Sequence, residues 1–298
     1  MSAEPRPTLL PRQAADVATA AQLACLLEVS APKPGNVAPG AHFHDTRYEQ
    51  FLASAAAIGP AVATAGERPL GATIRAAVEA TARWGRANTN LGIVLLLAPL
   101  ARAALTAAAG SAASSFGLRA SVERVLDETT VGDAADVYAA IRLAAPGGLG
   151  RADAQDVAGE PTAPLRDVMA LAAGRDAIAR EYATTFAHTF DVGAPALARA
   201  RAVGLHWDDA VLETFLALLA AAPDTHIARK LGADAAADVM RRARVVTDLG
   251  GARTPAGREA IVRLDGELRD PGNAWNPGAT ADLTAAAIFV VLLDGGWR

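Results

Sequence analysis

The period of the apolar residues constrains this chain more than any other feature. Across almost every long segment Ala, Leu and Val recur with a 3.6-residue pattern, and period-two alternation over a strand length is hard to find. Alanine, abundant throughout, disfavours strands and favours helices. The pattern predicts an all-α protein, with helices at 12–29, 47–64, 70–84, 90–108, 118–128, 133–145, 164–173, 175–191, 195–203, 208–221, 231–247, 255–269 and 279–294. Small side chains let helix axes approach closely, so a tight core of Ala, Leu and Val follows. No repeat of solenoid length appears. The longest break, residues 145–164, reads as an irregular connection inside one compact multi-helix domain spanning 1–298.

Composition narrows the function classes. With 298 residues, 52% of them apolar, the chain can bury a sizeable core. The 28 basic and 32 acidic residues give a formal charge of −4, which offers nothing to attract nucleic acid or an anionic membrane. The single cysteine, Cys25, excludes an intramolecular disulfide, and its apolar helical setting reads as packing. The opening "MSAEPRPTLLPRQ" has no apolar run of signal-peptide length. The most apolar run, from Leu91, is interrupted by Pro99 and Arg102 before the ~20 residues that a membrane span needs. A soluble, cytoplasmic protein without nucleic-acid or membrane partners is expected, its oligomeric state open and a homodimer allowed.

Polar residues gather at helix ends. "SAPKPGNVAPGAHFHDT", residues 30–46, places Lys33 between two prolines that restrict the backbone, then Asn36, His42, His44 and Asp45, with Glu28 just before. A rigid backbone with a cation, amides and a carboxylate suits a phosphate–metal ligand; a Pro/Gly turn capped by Asp45 or Thr46 is the plainer alternative. "HFHD" alone is too little for a transition-metal site. "RANTNLG", 86–92, sets Asn88, Thr89 and Asn90 before the most apolar helix, as N-caps or as anion-binding donors. "APDTHIARKLG", 222–232, brings Asp224, Thr225 and His226 close to Arg229 and Lys230. "PGNAWNPGATADL", 271–283, supplies Asn276 and Asp282, with Trp275 reading as core cover. "GGLGRADAQDV" reads as loop punctuation, and His188 and His206 as packing or surface residues. There is no GxSxG, HExxH, CxxC or EF-hand loop, which argues against a serine hydrolase, a zincin and a redox thiol enzyme. Carboxylates and asparagines on loops suit magnesium, which prefers oxygen ligands and bridges to phosphates.

Taken in order, "EVSAPKPGNV" with "HFHDT", "NTNLG", "APGGLG", "RDAIAREYATTF", "DTHIARKLG" and "NPGATADLTAA" resemble the triphosphoribosyl-dephospho-CoA synthase family, from about residue 20 to the C-terminus. That resemblance implies an all-helical transferase that joins ATP to 3′-dephospho-CoA through an α-glycosidic bond and expels adenine. The reaction is glycosyl transfer, with an oxocarbenium-like transition state, a carboxylate base for the acceptor hydroxyl, a proton or hydrogen bond for the leaving adenine, and Mg2+ with cations on the triphosphate.

Carried onto this chain, the resemblance gives Lys33 and Arg229 the phosphates. Asp45, Asp224 and Glu28 become metal ligands or base, with Asp45 and Asp224 as the metal pair. Asn36, Asn88 and Asn90 position ribose or phosphate oxygens, Thr225 joins the phosphate site, and Asn276 and Asp282 serve at the last helix start. The sequence departs from the family's His-Lys-Gly or His-Arg-Gly at "TNLG" and from its His-Arg-Gly-Gly-like stretch at "IARKLG". It resembles a divergent branch, so a methanopterin-type (pterin) acceptor stands as an alternative to a dephospho-CoA-like one. A magnesium-dependent N-glycoside hydrolase like the helical ADP-ribosylhydrolases is another alternative.

Overall fold

The computed structural model of the chain describes residues 13–85, 88–107 and 115–297. Among the described residues there are helices and no strands. Two helices form the axis of the main core. These are α5 (Leu91–Thr106) and α15 (Gly278–Leu293), both apolar nearly all round and buried along most of their length. A helix with no polar stripe has no face to offer water, so it lies inside. α15 packs against α5, against α1 (Ala14–Ser30) and against α11 (Trp207–Ala221). Around this axis lie α2 (Tyr48–Ala57), α3 (Gly59–Ala63), α4 (Leu70–Ala82), α6 (Ser115–Asp127), α7 (Val131–Ala144), α8 (Leu165–Ala172), α9 (Ala177–Ala183) and α10 (Ala194–Ala202).

α11 is buried on two sides. Ala210, Val211 and Leu218 join the main core, whereas Leu212, Phe215, Leu216 and Leu219 join a second cluster. That second cluster is completed by α12 (Thr225–Leu231), α13 (Ala233–Asp248) and α14 (Pro255–Leu268). Cys25 is buried in the main core, as expected. No single helix among the described residues is long and apolar enough to cross a membrane.

The sequence pattern locates most helices, and the Thr254-Pro255 pair opens α14 as cap and first-turn residue. Thr254 accepts a hydrogen bond from the Gly257 amide at 3.0 Å just before Pro255. The ends placed at residues 12 and 108 lie outside the described residues.

Two predicted helices are broken. The span 47–64 divides at Ile58 into α2 and α3, where Gly59-Pro60 interrupts the hydrogen-bond ladder. The span 175–191 stops after α9, passes through Thr185 and Phe186 at φ 52° and 58°, and resumes as a π-turn over His188–Gly193. The cause is Glu181, whose fully buried carboxylate accepts the His188 amide at 3.0 Å, the Thr189 amide at 2.9 Å and the Thr189 hydroxyl at 2.6 Å. A side chain that takes backbone donors competes with the ladder, and apolar periodicity carries no trace of it. The third difference is α12, a helix of its own between the predicted spans 208–221 and 231–247.

Candidate active site

The residues 30–46 do form the wall of a cleft. Gly35 makes the turn at φ 72°, and its amide donates to Asp265 of α14 at 2.9 Å. Arg269 holds the Asn36 carbonyl at 3.1 Å. Thus tethered, the segment faces the N-termini of α5, α12 and α15 across a cavity of about 510 Å³. All the residues expected at a site line this cavity except Lys33 and Asp224.

Lys33 turns inward instead of toward a ligand. Its side chain is fully buried, and its ammonium lies 3.1 Å from Glu28 Oε1 and donates to the carbonyls of Ala31, at 2.9 Å, and Glu28. A cation in an apolar interior needs such partners, and Pro32 and Pro34 hold the chain where they can be reached.

Asp224, expected as a metal ligand or base, is a structural clasp. Its Oδ1 accepts the amides of His226 at 2.8 Å and Ile227 at 3.1 Å. Its Oδ2 accepts the amide of Thr280 at 2.8 Å and the Thr280 hydroxyl at 2.7 Å. With four donors on two oxygens and 2% exposure, it has no lone pair directed at the cleft.

Of the four carboxyls that the described residues bring to the cleft, Glu28 and Asp282 are the deeply buried ones. Glu28 closes α1 and is 4% exposed; burial raises its pKa, and Lys33 opposes the rise. Asp282 stands one turn into α15, above the start of α5. Its approach depends on Gly92, where a Cβ would lie 2.0 Å from Asp282 Oδ2. Burial raises the Asp282 pKa well above the carboxylate range, Glu28, Asp224 and Asp176 add to the rise, and Arg229 opposes it. Two buried carboxyls that raise each other's proton affinity do not both ionise readily. Lys33, 3.1 Å from Glu28 Oε1, favours the charge on Glu28 over Asp282. The thiol of Cys25, nearby, is pushed far up by burial and is inert.

The polar rim is made of the remaining residues. Asn88 Oδ1 caps α5 by accepting the Leu91 amide at 3.0 Å, whereas Asn90 donates to Thr81 at 3.2 Å. Capping thus falls to the first asparagine, and the second is a buried brace. Thr225 accepts the Ala177 amide at 3.0 Å and so caps α9. Asn36 donates to the Pro34 carbonyl at 3.2 Å. Asp45 is exposed at the mouth, with the Thr46 hydroxyl at 3.1 Å and Asn273 Nδ2 at 3.5 Å. Of the "HFHD" histidines, His42 accepts the Tyr48 amide at 3.2 Å and His44 pairs with Asn273 at 2.9 Å. No cluster of three or more metal-ligating side chains occurs among the described residues.

Three polar residues join the cleft without having been expected at the site, Asp176, His226 and Asn273, and Lys230 lines it beside Arg229. Asp176 caps α9 through the Ala179 amide at 2.9 Å and lies 3.6 Å from Arg229, so in sequence it reads only as a cap. The signal for His226 was its spacing. It precedes Arg229 by three and Lys230 by four, which sets all three on one side of a helix.

A sequence model of the family described as ATP:dephospho-CoA triphosphoribosyl transferase matches residues 14–298. Among curated proteins, a "probable 2-(5''-triphosphoribosyl)-3'-dephosphocoenzyme-A synthase" of Pseudomonas savastanoi pv. phaseolicola is 37% identical over 100 residues, 34% of either chain. One of the same designation from Pseudomonas putida is 39% identical over 98 residues, 33% of this chain and 34% of its own. The matched stretch thus spans about a third of these relatives' length. A crystal structure from Archaeoglobus fulgidus, described as a candidate triphosphoribosyl-dephospho-CoA synthase, superposes with a TM-score of 0.63 at 29% identity, over 83% of this chain and 100% of that one.

Proposed function

The chain belongs to the ATP:dephospho-CoA triphosphoribosyl transferase family, its match running over residues 14–298, and from that premise we propose that it transfers the triphosphoribosyl group of ATP to a hydroxyl of 3′-dephospho-CoA or a related acceptor, releasing adenine. The observation that supports this reading is that Glu28, paired with Lys33, and the buried Asp282 line one cavity. Displacement at an anomeric carbon needs a base for the incoming hydroxyl and an acid for the leaving group, and two carboxyls with unequal proton affinity meet both needs.

Glu28, ionised beside Lys33, takes the proton of the acceptor hydroxyl as its oxygen bonds to C1′ of the ribose. The C1′–N9 bond breaks with its electron pair going to adenine, and Asp282 gives its proton to a purine nitrogen. The ionised Glu28 also favours the positive charge that develops on the ribose. Afterwards Glu28 carries the proton of the acceptor hydroxyl, Asp282 is ionised because its proton left with adenine, and exchange with solvent resets the pair. Arg229 and Lys230 hold the phosphate oxygens, and Asn36 and Asn88 orient ribose or phosphate.

Magnesium would need only one or two carboxylate oxygens if it enters on the triphosphate. The mouth supplies Asp45 for this, and the lack of a preformed ligand cluster among the described residues fits a metal that travels with its substrate. Bound there, it would neutralise phosphate charge. The cytoplasm, where ATP and dephospho-CoA are found, is the matching location.

The test is incubation with ATP, magnesium and 3′-dephospho-CoA, followed by mass spectrometry. Free adenine and a triphosphoribosyl adduct are expected. Appearance of ADP or AMP instead would overturn the mechanism, and adenine release without an adduct would make the protein a hydrolase.

A further inference from the structure

Arg229 and Lys230 line the cleft and are held by different segments. Lys230 Nζ donates to the Asn273 carbonyl at 2.9 Å. Arg229 Nη1 instead lies 3.6 Å from Asp176 Oδ2, the cap residue of α9. That distance makes an ion pair and falls short of a hydrogen bond. The guanidinium is therefore faced by a carboxylate without having its donors used up. Side-chain exposures of 24% for Arg229 and 31% for Asp176 keep the pair partly out of water, where screening is weaker.

Both partners are fixed by their surroundings. Asp176 Oδ1 accepts the Ala179 amide at 2.9 Å, which orients the carboxylate and leaves Oδ2 for Arg229. The next residue, Ala177, donates its amide to Thr225 Oγ1 at 3.0 Å, so the starts of α9 and α12 are joined. Gly148 comes against the arginine stem, where a Cβ would lie 3.2 Å from Cγ. Arg229 Nε is shut off from solvent, so Nη1 and Nη2 are the nitrogens left to meet a ligand. An arginine has many rotamers to lose, and one already held in place loses fewer when an anion binds.

We propose that Asp176 is a positioning residue for the nucleotide donor: it holds the Arg229 guanidinium in place for the triphosphate and acts on the ligand only through that arginine. The inference rests on Arg229 gripping phosphate, as proposed above, and gives Asp176 a task beyond capping α9.

The experiment measures binding of ATP with magnesium, and of adenosine, by calorimetry. The proteins are the wild type, Asp176→Asn, Asp176→Ser, Arg229→Met and the double variant Arg229→Met/Asp176→Asn. Asn and Ser cap a helix about as well as Asp, so Tm should hold while the carboxylate is gone. Each Asp176 variant is expected to bind ATP about tenfold more weakly, within the range of couplings between residues in contact. Adenosine, which has no phosphate, should bind as before. Arg229→Met should weaken ATP at least as much, and adding Asp176→Asn to it should change nothing further.

A merely structural role would weaken adenosine as well, or would persist in the Arg229→Met background, and either result overturns the assignment. So does tighter ATP binding in Asp176→Asn, which would make the carboxylate a competitor for the cation. A loss that extra magnesium restores would make Asp176 a metal ligand, again overturning it. Adenine release is followed in the same samples. Transfer with ATP binding indifferent to Asp176 sinks this inference and leaves the proposed function standing. Coupling of Asp176 to Arg229 without adenine release does the reverse, and failure of the wild type to bind ATP sinks both.

Discussion

Asp224 and Thr280 stand 56 residues apart and are joined twice, the Thr280 amide and hydroxyl both donating to Asp224 Oδ2 at 2.8 Å and 2.7 Å. The other oxygen caps α12. One buried carboxylate therefore locks the N-termini of α12 and α15 together, and these termini carry His226, Arg229, Asn276 and Asp282 into one cleft.

Replacing that carboxylate should first cost stability. In Asp224→Asn the amide nitrogen would face the Thr280 N–H or the donors of α12, leaving a buried donor unpaired. The expected loss is on the order of 3 kcal/mol, read from urea denaturation. Asp45→Asn, at the exposed mouth, should leave the midpoint unchanged while raising the magnesium concentration needed for activity. If Asp224→Asn kept wild-type stability and lost only turnover, the clasp would be wrong and a direct catalytic role restored.

Lys33 should behave likewise. Lys33→Met removes the partner of a buried Glu28 and is expected to destabilise by about 3–5 kcal/mol, the usual cost of breaking a buried pair. Much of that loss should return in the double variant Lys33→Met/Glu28→Gln, because the unpaired charge is then gone. A Lys33 that gripped phosphate would instead raise the Kd for ATP with little effect on the denaturation midpoint.

Asp282 gives a pH dependence of definite sign. Its pKa is higher folded than unfolded, so the folded protein binds more protons. Its contribution to stability is complete below the unfolded value of about 3.9 and is lost as pH rises through the folded one. Asp282→Asn, which cannot ionise, should flatten that part of the stability profile and raise Tm at neutral pH. It should also abolish the decline in activity at high pH, together with most of the activity. Gly92→Ala, whose methyl would meet Asp282 Oδ2, should lower kcat by about 100-fold, the scale of an ångström of misplacement, with little change in Tm. A Tm of Asp282→Asn that tracked wild type across pH would show that the carboxyl is not shifted.

The sequence by itself determined the class of fold and named most of the polar residues that line the cleft. Apolar period, alanine content and caps such as Thr254 are local signals, and they located α5, α11 and α15 without reference to one another. The grouping of polar residues at helix ends likewise picked out Glu28, Asn36, Arg229, Asn276 and Asp282, because a helical core rejects such groups unless they have work at its edge. Only tertiary structure decided how each one is buried and paired. Asp224 and Asp45 are the same residue type in similar loops, yet one is spent on four internal donors and the other faces solvent. Lys33 looked like a free cation because its partner, Glu28, lies across a proline turn whose path the local pattern does not specify. The break after α9 depends on Glu181 reaching forward to Thr189, and the place of Asp282 beside α5 depends on Gly92 admitting a carboxyl from α15. Burial and pairing fix ionisation, and both are set by contacts between segments far apart in the chain.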